Sequence, residues 1–477
     1  MIKPVYNRTK IIATIGPASS SEEVLTKMFI EGVDVCRLNF SHGTHDQHLE
    51  VMKTIRSINE KYGLHVAILC DLQGPKIRIG NLPNEFIPLE NGAKFYMTTN
   101  QAKQADDTVF ITYPEFALDV NPGDRVLLDD GKLVLEVQST NNKDLVETLV
   151  IHGGKLYPKK GVNLPNTRIS LPCLTEKDLK DLEFILDHQP DWIALSFVRE
   201  SYDILALRQI LESRQSSAKI IAKIEKPQAL ENIDKIIDET DAVMVARGDL
   251  GVEVPLEELP LTQKSIVTKC LEKSTPVIIA TQMMESMINS PQPSRAEITD
   301  VANAVIDGAD ALMVSGETSV GNFPVEVIRN MQKIVRKIED VDDYYHLDHD
   351  PREDSKTFLS DALCKTAIDT SASTEARAIV GMTVSGYTAF QLSSFRPKAF
   401  IFIFSGNQKL LSQLSLIWGV RGMFYDKYRS TDQTFEDVNN VLKEQGFVAK
   451  GEIVINTASM PINERSRTNT LKITVID

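Results

Sequence analysis

Two carboxylates and a lysine stand where this sequence changes from apolar to polar. Lys223 and Glu225 close the run KIIAKIE, and Asp249 lies in the run VMVARGDLG. Two hard carboxylate donors with a neighbouring ammonium suit Mg²⁺ or Mn²⁺, which takes few protein ligands and keeps positions for substrate oxygens. A lysine–carboxylate ion pair across adjacent strands is the plainer alternative. Gly248 and Asp249 sit in ARGDLG, where backbone N–H groups at the start of an expected helix form an anion site. Arg37 and Arg78 lie in turn-rich stretches and, with Lys223, supply the positive charge that holding a phosphate requires.

These residues share one structural context. Eight short β-branched runs, at 9–17, 33–41, 66–74, 192–198, 219–225, 242–249, 276–282 and 311–317, each end in polar or glycine residues and lead into a helical stretch. Eight alternating units predict an α/β fold built on a (β/α)₈ TIM barrel, over 1–75 and 169–340. In such a barrel the polar C-terminal strand ends face the active site. That rule selects Arg37, Asn39 and Ser41 on the second run, Asp71 on the third, Ser196 on the fourth, and Lys223 and Glu225 on the fifth. From the last three runs it selects Arg247, Asp249, Thr281, Ser315 and Glu317. A structural ion pair explains any one of these, but not polar endings on seven strands.

The interval between the third and fourth runs is far longer than the rest. Residues 76–168 alternate in short stretches between turn signals (NPGD, DDGK, TNNKD), predicting a small inserted β-barrel domain placed as a lid over the site. Residues 339–354 are rich in acids and read as a linker or an exposed acidic loop. A C-terminal α/β domain over 341–477 follows, with a helix at 357–374 and strands at 378–384, 399–405, 420–425, 452–458 and 470–476.

The formal charge of -14 argues against nucleic acid as a partner. Five scattered cysteines without a C-x-x-C pair argue against a disulfide framework or structural zinc. No apolar run approaches the roughly 20 residues that cross a bilayer, and the N-terminus lacks a signal-type apolar region, so a cytoplasmic location is expected. Neither a Walker loop nor a Rossmann fingerprint is present, which disfavours hydride transfer. His42, His45 and His48 recur every third residue, a spacing that drifts off one helical face and holds three ligands poorly. The segment SRAE at 294–297 reads as a capping box.

Taken together, TIGPAS, CRLNFSHG, DLQGPKIR, KKGVNLP, KIE, MVARGDLG, ATQMMESM and DVANAVIDGADALMVSGET, in that order, resemble the pyruvate kinases over nearly all of residues 1–340. The C-terminal domain is similar more loosely, through TVSGYTA, FRP and TNT. The resemblance implies phosphoryl transfer from phosphoenolpyruvate to ADP, giving pyruvate and ATP, the last step of glycolysis, in a cytoplasmic homotetramer. It implies that Glu225 and Asp249 hold the divalent ion while Arg37 and Lys223 grip the phosphoryl group. Gly248 and Asp249 would hold the substrate carboxylate, Thr281 would help deliver the proton, and Ser315 and Glu317 would support it. Arg78, His42 and Lys160 would lie toward the phosphate and nucleotide.

One departure concerns the monovalent cation. Many members read DTKGPEIRT and need K⁺, held by groups matching Asn39, Ser41, Asp71 and the carbonyl at Leu72. This chain reads DLQGPKIRI, so Lys76 stands in place of a glutamate. Its ammonium replaces the charge of a bound cation, and K⁺-independence is expected. The TVSGYTA loop lacks the basic residues of sugar-phosphate-activated members. Ser385, Gly386 and Thr388, with Arg465 and Arg467, leave a phosphorylated allosteric effector and a purely assembling domain as open alternatives. Two rival functions remain, a carbon–carbon lyase of the related barrels and a non-catalytic metabolite sensor. The 76–168 insertion and Lys223 oppose the first, and Lys223, Glu225, Asp249 and Thr281 together oppose the second.

Overall fold

The computed structural model describes residues 6–477 apart from 342–343, 346, 348, 352–354, 428–429 and 461–466. Eight strands close a parallel barrel: β1 (Lys10–Thr14), β2 (Val35–Asn39), β3 (Ala67–Asp71), β4 (Trp192–Val198), β5 (Lys219–Ile224), β6 (Ala242–Ala246), β7 (Val277–Ala280) and β8 (Ala311–Val314). Each falls inside one of the eight expected runs. Side chains alternate between two cores with the period of two that a strand dictates. Ile11, Cys36, Ile68, Ile193 and Val243 pack outward on the helices, while Ile12, Val35, Leu69, Ala194 and Met244 fill the interior.

That alternation also fixes what reaches the barrel mouth. On β2 the inward series is Val35, Arg37, Asn39; on β3 it is Ala67, Leu69, Asp71; on β4 it is Trp192, Ala194, Ser196. The register places Asn39 beside Asp71 and Asp71 beside Ala194. Apolar layers below therefore pass into charged ones at the C-terminal ends.

The barrel interior is continuous, at its other end, with the C-terminal unit. Ile12, Leu69 and Trp192 share one core with Phe395, Ile401 and Leu416. The unit's sheet contains β9 (Ala378–Met382), β10 (Phe400–Ser405), β11 (Val420–Phe424), β12 (Ile453–Ala458) and β13 (Thr470–Val475), ordered β11-β10-β9-β12-β13, with only β13 antiparallel. Polar ties cross the junction. Lys10 Nζ donates to Val420 O at 3.0 Å, Trp192 Nε1 to Gln413 O at 3.2 Å, and Arg396 pairs with Asp310 at 2.9 Å.

Between β3 and β4 the chain builds an all-β module around its own core. Its six-stranded sheet has Val162–Asn163 at one edge and Thr108–Phe110 at the other. Residues 77–80 stitch the two edges together: Val162 N–H donates to Ile77 O at 3.0 Å and Gly80 N–H to Phe110 O at 2.8 Å. The segment that leads out of β3 thus closes the small barrel. The SRAE capping box forms, with Ser294 Oγ accepting from Glu297 N–H and Glu297 Oε2 accepting from Ser294 N–H. All five cysteines are buried and free. Among the described residues no helix is long and apolar enough to cross a membrane.

Asp34, at the barrel's lower rim, accepts the Ile11 N–H at 2.9 Å and lies 3.7 Å from Lys10. Desolvation, only partly offset by Lys10, lifts its pKa from 3.8 to about 6. Because the folded value is raised, its stabilising contribution is complete below the unfolded value and disappears as pH rises through about 6. Asp34→Asn removes this dependence. The unfolding midpoint of the variant minus that of wild type is therefore expected to increase between pH 4 and pH 7 in thermal scans; a difference that falls over this range contradicts the assignment.

Candidate active site

At the mouth of the barrel, four charged side chains interlock. Arg37 Nε donates to Asp71 Oδ2 at 2.7 Å and its Nη1 to Thr14 Oγ1 at 2.9 Å. Lys223 Nζ lies 3.3 Å from Asp71 Oδ1 and 3.0 Å from Glu225 Oε1, and donates to Ser196 Oγ at 2.7 Å. Ser196 in turn donates to Leu72 O at 2.7 Å, and Glu225 Oε2 accepts the Phe197 N–H at 2.8 Å. All four charged residues are buried, Asp71 and Glu225 to within 1% exposure.

The electrostatics follow from this packing. Burial raises the carboxyl of Asp71, but Lys223 and Arg37 outweigh it and hold its pKa below the ordinary value. Burial opposes the charge on Lys223, yet Asp71 and Glu225 hold its pKa above the usual lysine value. Glu225 moves the other way. Its burial, aided by the nearby Asp249 carboxylate, lifts it in spite of Lys223. Asp249 lies in the first turn of the short helix Arg247–Glu253 after β6, and its carboxylate makes no side-chain hydrogen bond or ion pair with the described residues. Two carboxylates that repel one another, one of them without a partner, are a donor set that a divalent cation fits. Among the described residues no cluster of three or more acidic, His or Cys side chains provides a fuller cage.

Other expected residues divide between the mouth and its surroundings. Thr281 Oγ1 accepts the Gly248 N–H at 2.7 Å, so the backbone of ARGDLG is docked onto the end of β7. Thr281 and Gln282 hold φ of +71° and +56°, a strained conformation for residues with side chains. Glu317 is buried and binds backbone N–H groups of Ser315 at 2.7 Å and Met284 at 3.1 Å, clipping the loops after β7 and β8 together. Asn39 Oδ1 accepts the Ser41 N–H at 3.0 Å, turning the loop beyond β2. Gly74, at φ of +69°, lies so close to β4 that a Cβ there would approach Ser196 Cβ at 2.9 Å.

The remaining expected residues lie outside this cluster. Arg247 turns away into the helical layer, bound to Asp300 at 2.7 Å and to Thr281 O at 2.7 Å. Lys76 is exposed and lines the cleft between the inserted module and the barrel together with Asp249, Phe197 and Lys226. Arg78 donates to Lys159 O at 2.9 Å and Lys160 pairs with Asp129 at 2.8 Å, so both are tied to the inserted module. His42 is exposed, His45 binds Asp181 and His48 binds His42 O, so the three imidazoles do not converge. In the C-terminal unit Ser385 is exposed, whereas Thr388 is buried with its hydroxyl 2.7 Å from that of Thr468. Arg467 donates to Lys356 O, and Arg465 lies outside the described residues.

Thr14, Phe197, Lys226, Glu253 and Asn163 join the site without being among the expected residues. Thr14 carried a signal, as the last residue of β1 next to Arg37 in register. Phe197 carried none, because its role comes from its backbone N–H.

Residues 6–328 match the family model for the barrel domain of pyruvate kinase and 361–474 that for its alpha/beta domain. The chain is 40% identical over 471 residues to a pyruvate kinase of Geobacillus stearothermophilus, an alignment spanning 98% of this chain and 80% of that one. A Staphylococcus epidermidis pyruvate kinase is 39% identical over 470 residues, with the same coverage of 98% and 80%. The fold superimposes on a crystal structure of a pyruvate kinase from Cryptosporidium parvum with a TM-score of 0.92, at 32% identity, covering 99% of this chain and 96% of the other. With barrel, insertion and C-terminal sheet aligned along its whole length, the chain belongs to the pyruvate kinase family and is a phosphotransferase.

Proposed function

We propose that this enzyme transfers the phosphoryl group of phosphoenolpyruvate to ADP and protonates the resulting enolate, releasing pyruvate and ATP. The observation that carries this reading is the mouth cluster, in which Arg37 and Lys223 sit buried beside Asp71 and Glu225 with Asp249 unpaired nearby. Phosphoryl transfer asks a protein mainly for positioning and charge neutralisation, and two fixed cations meet that demand. Glu225 and Asp249 would hold Mg²⁺ or Mn²⁺, which when bound neutralises charge on phosphoryl and enolate oxygens. Arg37 and Lys223 orient the phosphoryl group. Lys223 keeps its proton throughout, since its carboxylate partners hold its pKa high. Thr281 Oγ1, already a donor and acceptor in the loop, positions a proton near the enolate carbon, and Gly248 exchanges its N–H from Thr281 to the substrate carboxylate. Ser315 and Glu317 hold the loops that carry these groups.

The module over 76–168 acts as the lid, with Arg78 and Lys160 on its rim facing phosphate and nucleotide and His42 on the barrel side. The 1–75 and 169–340 segments would form the catalytic unit and 341–477 would serve assembly into a cytoplasmic homotetramer, with binding of a phosphorylated effector and assembly alone as its two open readings. Support for K⁺-independence comes from Lys76, an ammonium in the same cleft as Asp249, beyond the Asn39, Ser41, Asp71 and Leu72 region.

Glu225→Gln is expected to lower kcat for ADP-dependent pyruvate formation by about a hundredfold or more, because transition-state charge loses a fixed partner. A variant as fast as wild type would remove the kinase assignment from this site. In Mg²⁺ buffer free of K⁺ and Na⁺, wild type should keep most of its rate; a requirement for added K⁺ would refute the role given to Lys76.

A further inference from the structure

A buried polar chain runs from the barrel to the inserted module, and none of the roles above uses it. Lys226 follows Glu225 directly, is 6% exposed, and places Nζ 2.5 Å from Glu253 Oε1. Glu253 is 5% exposed and ends the helix whose first turn carries Asp249. The same oxygen accepts Asn163 Nδ2 at 2.8 Å, and Asn163 belongs to an edge strand of the inserted module. Glu253 Oε2 is buried without a hydrogen-bond partner. On its other side Lys226 Nζ lies 5.9 Å from the centre of the Phe197 ring, and Phe197, strained at φ of +57°, gives its N–H to Glu225 Oε2 at 2.8 Å.

Burying an ion pair costs desolvation that the pairing scarcely repays, and leaving one carboxylate oxygen unmatched adds to the cost. Such a pair is a poor way to glue two loops. It is a good way to hold them in one geometry, because a buried charge tolerates few alternatives. From its position, we infer that Lys226 and Asn163 are positioning residues. Through Glu253 they fix the Asp249 helix against the end of β5 and against the inserted module, so that the seating of the module sets the spacing between Glu225 and Asp249. The inference rests on the proposed reading of those two carboxylates as the divalent-cation pair. Partners bonded directly to metal ligands change affinity by about 10- to 100-fold when removed; Lys226 and Asn163 act one step further out, through Glu253 and its helix, and fall at the lower end of that range.

The test is direct Mn²⁺ binding to the full chain without substrates, followed by the electron paramagnetic resonance of free Mn²⁺, with circular dichroism to confirm folding. Asn163→Ala and Lys226→Met are each expected to weaken binding by about tenfold or more. The sign is informative for Lys226→Met, since deleting a nearby positive charge by itself tightens a cation. Binding within twofold of wild type in Asn163→Ala, or tighter binding in Lys226→Met, overturns the inference. If Lys226→Met does not fold, Asn163→Ala decides alone, because it deletes a neutral side chain. Glu225→Gln and Asp249→Asn separate the two readings: if either retains wild-type Mn²⁺ affinity, the cation pair itself is misassigned and the inference falls with it. If both lose binding while the Asn163 and Lys226 variants keep it, only the inference fails.

Discussion

Two buried cations held between two buried carboxylates are the arrangement on which the site depends. Arg37 and Lys223 can lie buried at the mouth of a closed barrel only because Asp71 and Glu225 meet them there, at 2.7, 3.3 and 3.0 Å. The pairing is not balanced evenly. Asp71 faces both cations and stays ionised easily, while Glu225 faces one cation and also the Asp249 carboxylate. Asp71 is therefore matched by two cations, whereas Glu225 shares one cation and faces a second carboxylate, the feature on which the proposed divalent-cation pair rests.

The remainder of the molecule packs against that charged layer from both sides. Below the charged layer the interior core runs unbroken into the C-terminal unit, and Lys10, Trp192 and Arg396 tie the two across the junction. Above it the chain leaves β3, and within a few residues 77–80 has become the stave that closes the inserted barrel. Asp71 and the module are therefore linked by a very short span of backbone. Two residues with positive φ bond groups of the site: Phe197, near the end of β4, through its N–H to Glu225, and Thr281, just beyond β7, through its hydroxyl to the Gly248 N–H.

Much of this was legible in the sequence because strands obey a period of two. Val35-Arg37-Asn39 and Ala67-Leu69-Asp71 announce both their inner face and their polar upper end, and the break in spacing after β3 announces the insertion. Ser294 and Glu297 announced their capping box, since both partners are three residues apart. Arg247 misleads by the same logic. It follows a buried strand, but it opens a helix, and the first turn aims its guanidinium at Asp300 in the outer layer.

The eight barrel strands, the nested β-module, the five strands of the C-terminal sheet and the charged residues at the mouth are written into the chain locally, each encoded by alternation and by where it stops. Which charges pair is settled by the fold. Arg37 with Asp71, Lys223 with Ser196, Glu225 with the Phe197 backbone, and Lys226 with Glu253 and Asn163 bring together residues distant in the chain. Their meeting depends on barrel closure and register, which no local pattern specifies. The same closure left Lys76 exposed in the cleft beside Asp249 and gave Glu317 two backbone N–H groups to hold.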